Sequence, residues 1–168
     1  MKKFNTRDGM AVALLEKNIP TILISKENSK IVKARAKKIH AAEAWINLAN
    51  GNNAKALSLM KLAAQMESET SKHPVTPGEV VPAIELLGDM LLTLRKPLEA
   101  IEAYEINLKG HPGRFNGVYG AAIAAKKSGN NEKATYYFNQ LLELAKNSKS
   151  DRVELVEAKI YINESKGI

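Results

Sequence analysis

The sequence predicts an all-α protein built as a stack of antiparallel helical hairpins. Three observations carry that prediction. Apolar residues recur at three- and four-residue spacing along most of the chain. The 45% hydrophobic content is rich in alanine and leucine, with only 5% aromatics, a balance that suits helix-on-helix packing better than sheets. The stretch around Ala100 is also echoed around Ala134, and internal repetition at a fixed period marks stacked repeat architectures. At 168 residues the chain fits one domain, 1–168, able to bury a continuous core.

From the beginning, residues 7–36 read as N-terminal helices. The run Arg7-Asp8-Gly9-Met10-Ala11-Val12-Ala13-Leu14-Leu15 belongs to a helix over 7–18, stopped by Asn18-Ile19-Pro20. A long helix follows from about Asn28 to Ala49, with Ile31, Ala34, Ile39, Ala42, Trp45 and Leu48 on its apolar side.

Three repeat copies are then expected over 37–70, 81–114 and 115–148. When Ala100 is aligned with Ala134, a turn precedes each alanine by five residues, at Arg95 and Gly129, and an aromatic follows each by four, Tyr104 and Phe138. The upstream copy has Gly51, Ala56 and Met60 at the same offsets. In the middle copy, Ile84, Leu87, Gly88, Leu91 and Leu94 form one helical stripe over Pro82–Leu94, and Leu98, Ile101, Tyr104 and Leu108 a second over Leu98–Lys109, which His111-Pro112-Gly113 ends. The last copy offers Phe115, Val118, Ala122 and Ala125, then Ala134, Phe138, Leu141 and Leu142. Gly88, Ala100, Ala122 and Ala134 are small where paired helices would cross closely, since a larger side chain there would force the helices apart.

An insertion over 71–80 separates the first two copies. Thr76-Pro77-Gly78-Glu79 predicts one helical turn before a fresh start near Pro82; the segment reads equally as a site or a spacer. At the far end, Asp151-Arg152-Val153-Glu154 resembles a capping box that opens a last helix over 151–165. That helix carries Val153, Val156 and Ile160 at helical spacing and, less regularly, Leu155 and Ile162. Glu154, Glu157, Lys159 and Glu164 supply the polar outer face that a terminal repeat needs.

The set Leu87-Gly88, Leu91, Ala100, Tyr104 and Pro112, repeated as Ala121-Ala122, Gly129, Ala134 and Phe138, resembles the tetratricopeptide repeat, best over 81–148 and fairly over 37–70. The chain is also similar to the C-terminal part of longer bacterial proteins of that family. It departs from the pattern at Ile84 and Val118, where the family often has tryptophan, and at Arg95, which replaces a glycine. The first copy lacks the closing proline in register.

The resemblance implies a right-handed superhelical α-solenoid that binds a peptide or protein in a concave groove lined by the first helix of each pair. Carried onto this sequence, the groove residues are Lys38, Ala41, Trp45 and Leu48, then Glu85, Asp89 and Leu92, then Asn116, Tyr119, Ile123, Lys126 and Lys127. Glu85 and Asp89 make the middle of such a groove acidic, which argues against a clamp for a peptide's terminal carboxylate. Trp45 reads as a binding anchor or as a core aromatic between repeats.

The residues point away from chemistry. His40, His73 and His111 are far apart, no metal-ligand spacing appears, and there is no cysteine. Gly117-Val118-Tyr119-Gly120 lacks the lysine of a phosphate loop. No catalytic, cofactor-binding or metal residue is expected. No apolar run reaches the roughly 18 residues of a membrane span. No export signal is read, which makes the cytoplasm the default compartment, and export the reading for a piece of a longer precursor. Oligomeric state stays open.

Charge supplies a rival reading. Residues 1–40 hold ten Lys/Arg against three Asp/Glu, the whole of the chain's net +7. Lys30, Lys33 and Lys37 share one helical face, with Lys26, Arg35 and Lys38 beside them. This basic 26–38 segment suits a salt-dependent contact with nucleic acid or another polyanion, or a solubilising face. No aromatic is interleaved there to stack on bases.

Overall fold

The computed structural model describes residues 29–69 and 81–166, which form seven α-helices and no strand. The chain divides into two compact units, Met1–Gly78 and Glu79–Ile168. The first contains α1 (Ser29–Ala49) and α2 (Asn53–Ser68). The second contains α3 (Ala83–Thr93), α4 (Pro97–Gly110), α5 (Phe115–Lys127), α6 (Asn131–Leu144) and α7 (Val153–Lys166). The helix expected over 7–18 and the single turn expected at Thr76–Glu79 lie outside the described residues.

Three turns between paired helices share one backbone design. Gly51, Arg95 and Gly129 all take positive φ, at 78°, 58° and 77°. Each donates its N–H to the carbonyl three residues back, at Leu48, Leu92 and Lys126. The next N–H, of Asn52, Lys96 and Asn130, reaches five residues back, to Asn47, Leu91 and Ala125. This paired pattern is the Schellman motif, which satisfies the last carbonyls of a helix through a left-handed residue. In the helix that follows, Ala56, Ala100 and Ala134 each donate to the carbonyl four residues back, so the three alanines hold matching places in the first turn. Glycine adopts the left-handed conformation freely, whereas Arg95 does so against the contact of its own Cβ.

Within each unit, consecutive helices pack on one another, and α3 also touches α5. The small residues stand between helices: Gly88, Ala100, Ala122 and Ala134 are all buried. Around them Leu87, Leu91, Tyr104, Val118, Phe138 and Leu141 form the core of the second unit. In the first unit, Ala41 and Ala44 of α1 face Ala56, Met60 and Ala63 of α2 in a core of mostly small side chains. Pro82, whose carbonyl accepts from Leu86, caps α3 and sets its start as the sequence suggests.

The structure corrects or refines the expected facing in three helices. In α1, Ala42 is exposed while Ala41 and Ala44 are buried, and Trp45 and Leu48 are only half-buried. The buried face is thus rotated toward the smaller residues. Ile31 and Ala34 fall among residues whose side chains are not described. In α4, Leu98 is 68% exposed, because it lies off the buried face that Ala100, Ala103, Tyr104 and Asn107 share. In α7 the less regular positions turn out to be the inner ones: Leu155 and Ile162, with Ala158, are buried, and Val153, Val156 and Ile160 are exposed. Ala158 lets α7 approach closely, and the Phe138 and Tyr161 rings pack at 4.7 Å between centroids, which fixes this rotation. Arg152, not Asp151, supplies the first helical carbonyl, accepting from Val156. Glu154 turns to the Arg152 guanidinium at 2.9 Å instead of closing a capping box.

Candidate interaction surface

The second unit is tied together by acidic residues that reach across helix pairs. Glu85, one residue into the apolar stripe of α3, is only 2% exposed. Arg114, the residue before α5, grips it with two hydrogen bonds, Nε to Oε2 at 2.8 Å and Nη2 to Oε1 at 3.0 Å. Asn107 of α4 donates a third from Nδ2 at 2.8 Å. Gly117 leaves the space for this cluster, since a Cβ there would lie 2.9 Å from the Asn107 amide and 3.2 Å from the Glu85 carboxylate. The hydrogen bond to Glu85 raises the Arg114 pKa above its ordinary value, and the charge of Glu85 adds to the rise against partial burial.

One turn further along α3, Tyr104 of α4 fills a slot between two glycines. A Cβ on Gly88 would meet the ring at 2.7 Å, and one on Gly120 of α5 would come closer still. The ring therefore holds α3 and α5 against α4, and its hydroxyl donates to Asp89 Oδ1 at 2.5 Å. Asp89 is exposed as a residue, but its carboxylate lies against the ring. Loss of water there raises its pKa, the bond from Tyr104 opposes the rise, and Glu85 reinforces it. Burial, then the charge of Asp89, pushes the Tyr104 hydroxyl far above the usual phenol value.

Two further ties reach the later helices. Glu157 of α7 accepts from the Tyr119 hydroxyl at 2.7 Å and from Lys126 Nζ at 3.0 Å, both on α5. Burial tends to raise the Glu157 pKa, but these two partners outweigh it and the net shift is downward. Glu105 of α4 accepts from Lys133 at 2.5 Å and from Tyr137 at 3.0 Å, both on α6.

The residues expected to line a groove are thus distributed as follows. Lys38 (exposed), Ala41 (buried), Trp45 and Leu48 belong to the first unit. In the second, Glu85 is buried in an internal ion pair and presents no acidic face. Tyr119 and Lys126 are engaged by α7, and Asn116 lies 3.5 Å from the Arg152 guanidinium, which also stacks over Phe115 at 4.1 Å. Asp89 and half-buried Leu92 on α3, with half-buried Ile123 and exposed Lys127 on α5, remain at the surface of two helices that touch. An open cleft of about 620 Å³ lies elsewhere, along α6 and α7, lined by Asn131, Glu132, Thr135, Tyr161, Glu164 and Ser165. Its two carboxylates and tyrosine ring suit a cation better than an anion.

Sequence reasoning missed Arg114, Asn107 and Glu157 as tying residues, and Gly117 and Gly120 as close-approach positions. The available signal was a lone glutamate inside an apolar stripe, because a buried charge requires a partner. Among the described residues no group of His, Asp or Glu could hold a metal ion. The chain matches no protein-family model and no curated protein. No described helix is long and apolar enough to cross a membrane.

Proposed function

We propose that the chain is a binding or scaffolding module of the tetratricopeptide type, not an enzyme, and that its helical pairs continue as a right-handed solenoid. The observation that carries this reading is the employment of the acidic residues. Glu85, Asp89, Glu105 and Glu157 each bond a side chain on another helix, so they hold helices in place and are not poised in a cavity for proton transfer. The repeated Schellman turns support the repeat, and the neighbouring faces of α3 and α5 offer a mixed surface. Leu92 and Ile123 give it apolar area, Asp89 and Lys127 opposite charges. Such a surface suits a peptide or protein that presents apolar side chains between charges of both signs.

Affinity capture with the whole chain as bait tests the reading, repeated with Leu92→Glu and Ile123→Glu. A prey lost from both variants, with helicity by circular dichroism unchanged, supports the surface. Prey retained by both refutes it. The basic 26–38 segment keeps electrostatic binding of nucleic acid as a second reading, because the entire net charge resides in residues 1–40. Titration against a generic duplex at low and high salt decides it, and no association at low salt removes it.

A further inference from the structure

Helix α7 has apolar stripes on opposite sides. Leu155, Ala158 and Ile162 are buried, whereas Val153, Val156 and Ile160 are 77%, 48% and 52% exposed. The outward stripe continues three residues on at exposed Asn163. Steps of three, four and three are those of a coiled-coil seam, with Val153 and Ile160 in the first core position of each heptad and Val156 and Asn163 in the second. The residues flanking this seam are sorted by sign. Arg152 and Lys159 fall on one edge, Glu157 and Glu164 on the other.

We propose that this outward stripe pairs with the same stripe of a second copy of the chain, the two α7 helices running parallel about a two-fold axis. The charges choose both the occupant and the direction. In a parallel pair the edge carrying Lys159 faces the edge carrying Glu164 of the other copy, twice by symmetry, and the arrangement that brings edges of opposite sign together is favoured. In an antiparallel pair like edges meet, and lysine faces the basic side of its neighbour. Lys159 and Glu164 make no hydrogen bond or ion pair among the described residues, unlike Arg152 and Glu157, which are engaged within the chain. The Lys159–Glu164 pair is therefore the discriminating one. The parallel register also sets Asn163 beside its own copy, where the two amides bond each other, while the antiparallel one sets it against valine. Three apolar side chains cover far less than the roughly 800 Å² per partner of a standard interface, so the dimer is weak, with a dissociation constant on the order of 10–100 μM.

Sedimentation velocity of the full chain from about 5 μM to about 500 μM brackets that constant. The wild type is expected to shift from monomer to dimer across the range. Val156→Glu, on the exposed side and so neutral to folding, abolishes the shift while the far-UV spectrum stays the same. Lys159→Glu and Glu164→Lys each weaken association about tenfold, and an equal mixture of the two variants associates like the wild type. Val156→Cys, then the only thiol in a chain that otherwise has no cysteine, cross-links on mild oxidation. In an antiparallel pair the two positions are too far apart for a disulfide. A wild type that stays monomeric throughout overturns the proposal. So does a dimer indifferent to Val156→Glu and Lys159→Glu, which places the interface elsewhere, and so does failure of the cross-link.

Discussion

The ring of Tyr104 lies so close to Gly120 that no side chain larger than hydrogen fits at that position without displacing it. Since Gly88 bounds the other side, the slot has no spare room, and the tyrosine is bonded to Asp89 at its far end. Gly120→Ala is expected to destabilise the protein by about 2 kcal/mol or more in urea denaturation, even though alanine is the better helix former. Adding Tyr104→Leu should cost less than the separate losses combined, because the two changes share one space. Full additivity would contradict the slot.

Arg95 offers the opposite case. It holds the left-handed conformation that glycine holds in the two matching turns, and its exposed side chain has little to lose on replacement. Arg95→Gly should raise stability by about 0.5–1 kcal/mol, the relief of backbone strain exceeding the extra entropy of an unfolded glycine. Gly129→Ala should lower it by a similar amount. The midpoints of denaturant unfolding report both changes.

For the buried ion pair the expectation is asymmetric. Arg114→Met leaves the Glu85 carboxylate buried with only Asn107 beside it and should cost about 3–5 kcal/mol. Glu85→Met together with Arg114→Met should cost clearly less, because two apolar groups need no partners. A double-mutant cycle by chemical denaturation measures the coupling.

The tie between α5 and α7 is pH-dependent in a direction that follows from Glu157. Its folded-state pKa lies below the ordinary carboxylate value of 4.5, so the stabilisation is fully present above 4.5 and fades as the pH falls through the folded value. The difference in melting temperature between wild type and Glu157→Gln should shrink on acidification below about pH 4.5. A difference that grew instead would reverse the sign of the interaction.

Much of the fold is legible in residue order because it is local. A left-handed residue, an alanine five later and an aromatic or methionine four after that recur in three places, and the helix boundaries and matching turns follow from them. What stayed hidden depends on distant partners. The apolar spacing of α7 fits Val153, Val156 and Ile160 as well as Leu155, Ala158 and Ile162, two stripes with identical steps, and only contacts with Phe138, Tyr119 and Lys126 select the second. Glu85 likewise looks like a surface acid until Arg114, 29 residues away, is folded onto it. Among the expected groove residues, those on α5 could not be separated from the ties to α7 for the same reason.

The division into two units also sorts the chromophores. The chain's single tryptophan, Trp45, belongs to Met1–Gly78, and all five tyrosines, 104, 119, 136, 137 and 161, belong to Glu79–Ile168. Indole emission therefore reports on one half of the polypeptide and phenol absorbance on the other, without any label. Melting curves recorded at the two wavelengths reveal directly whether the halves come apart together or in succession.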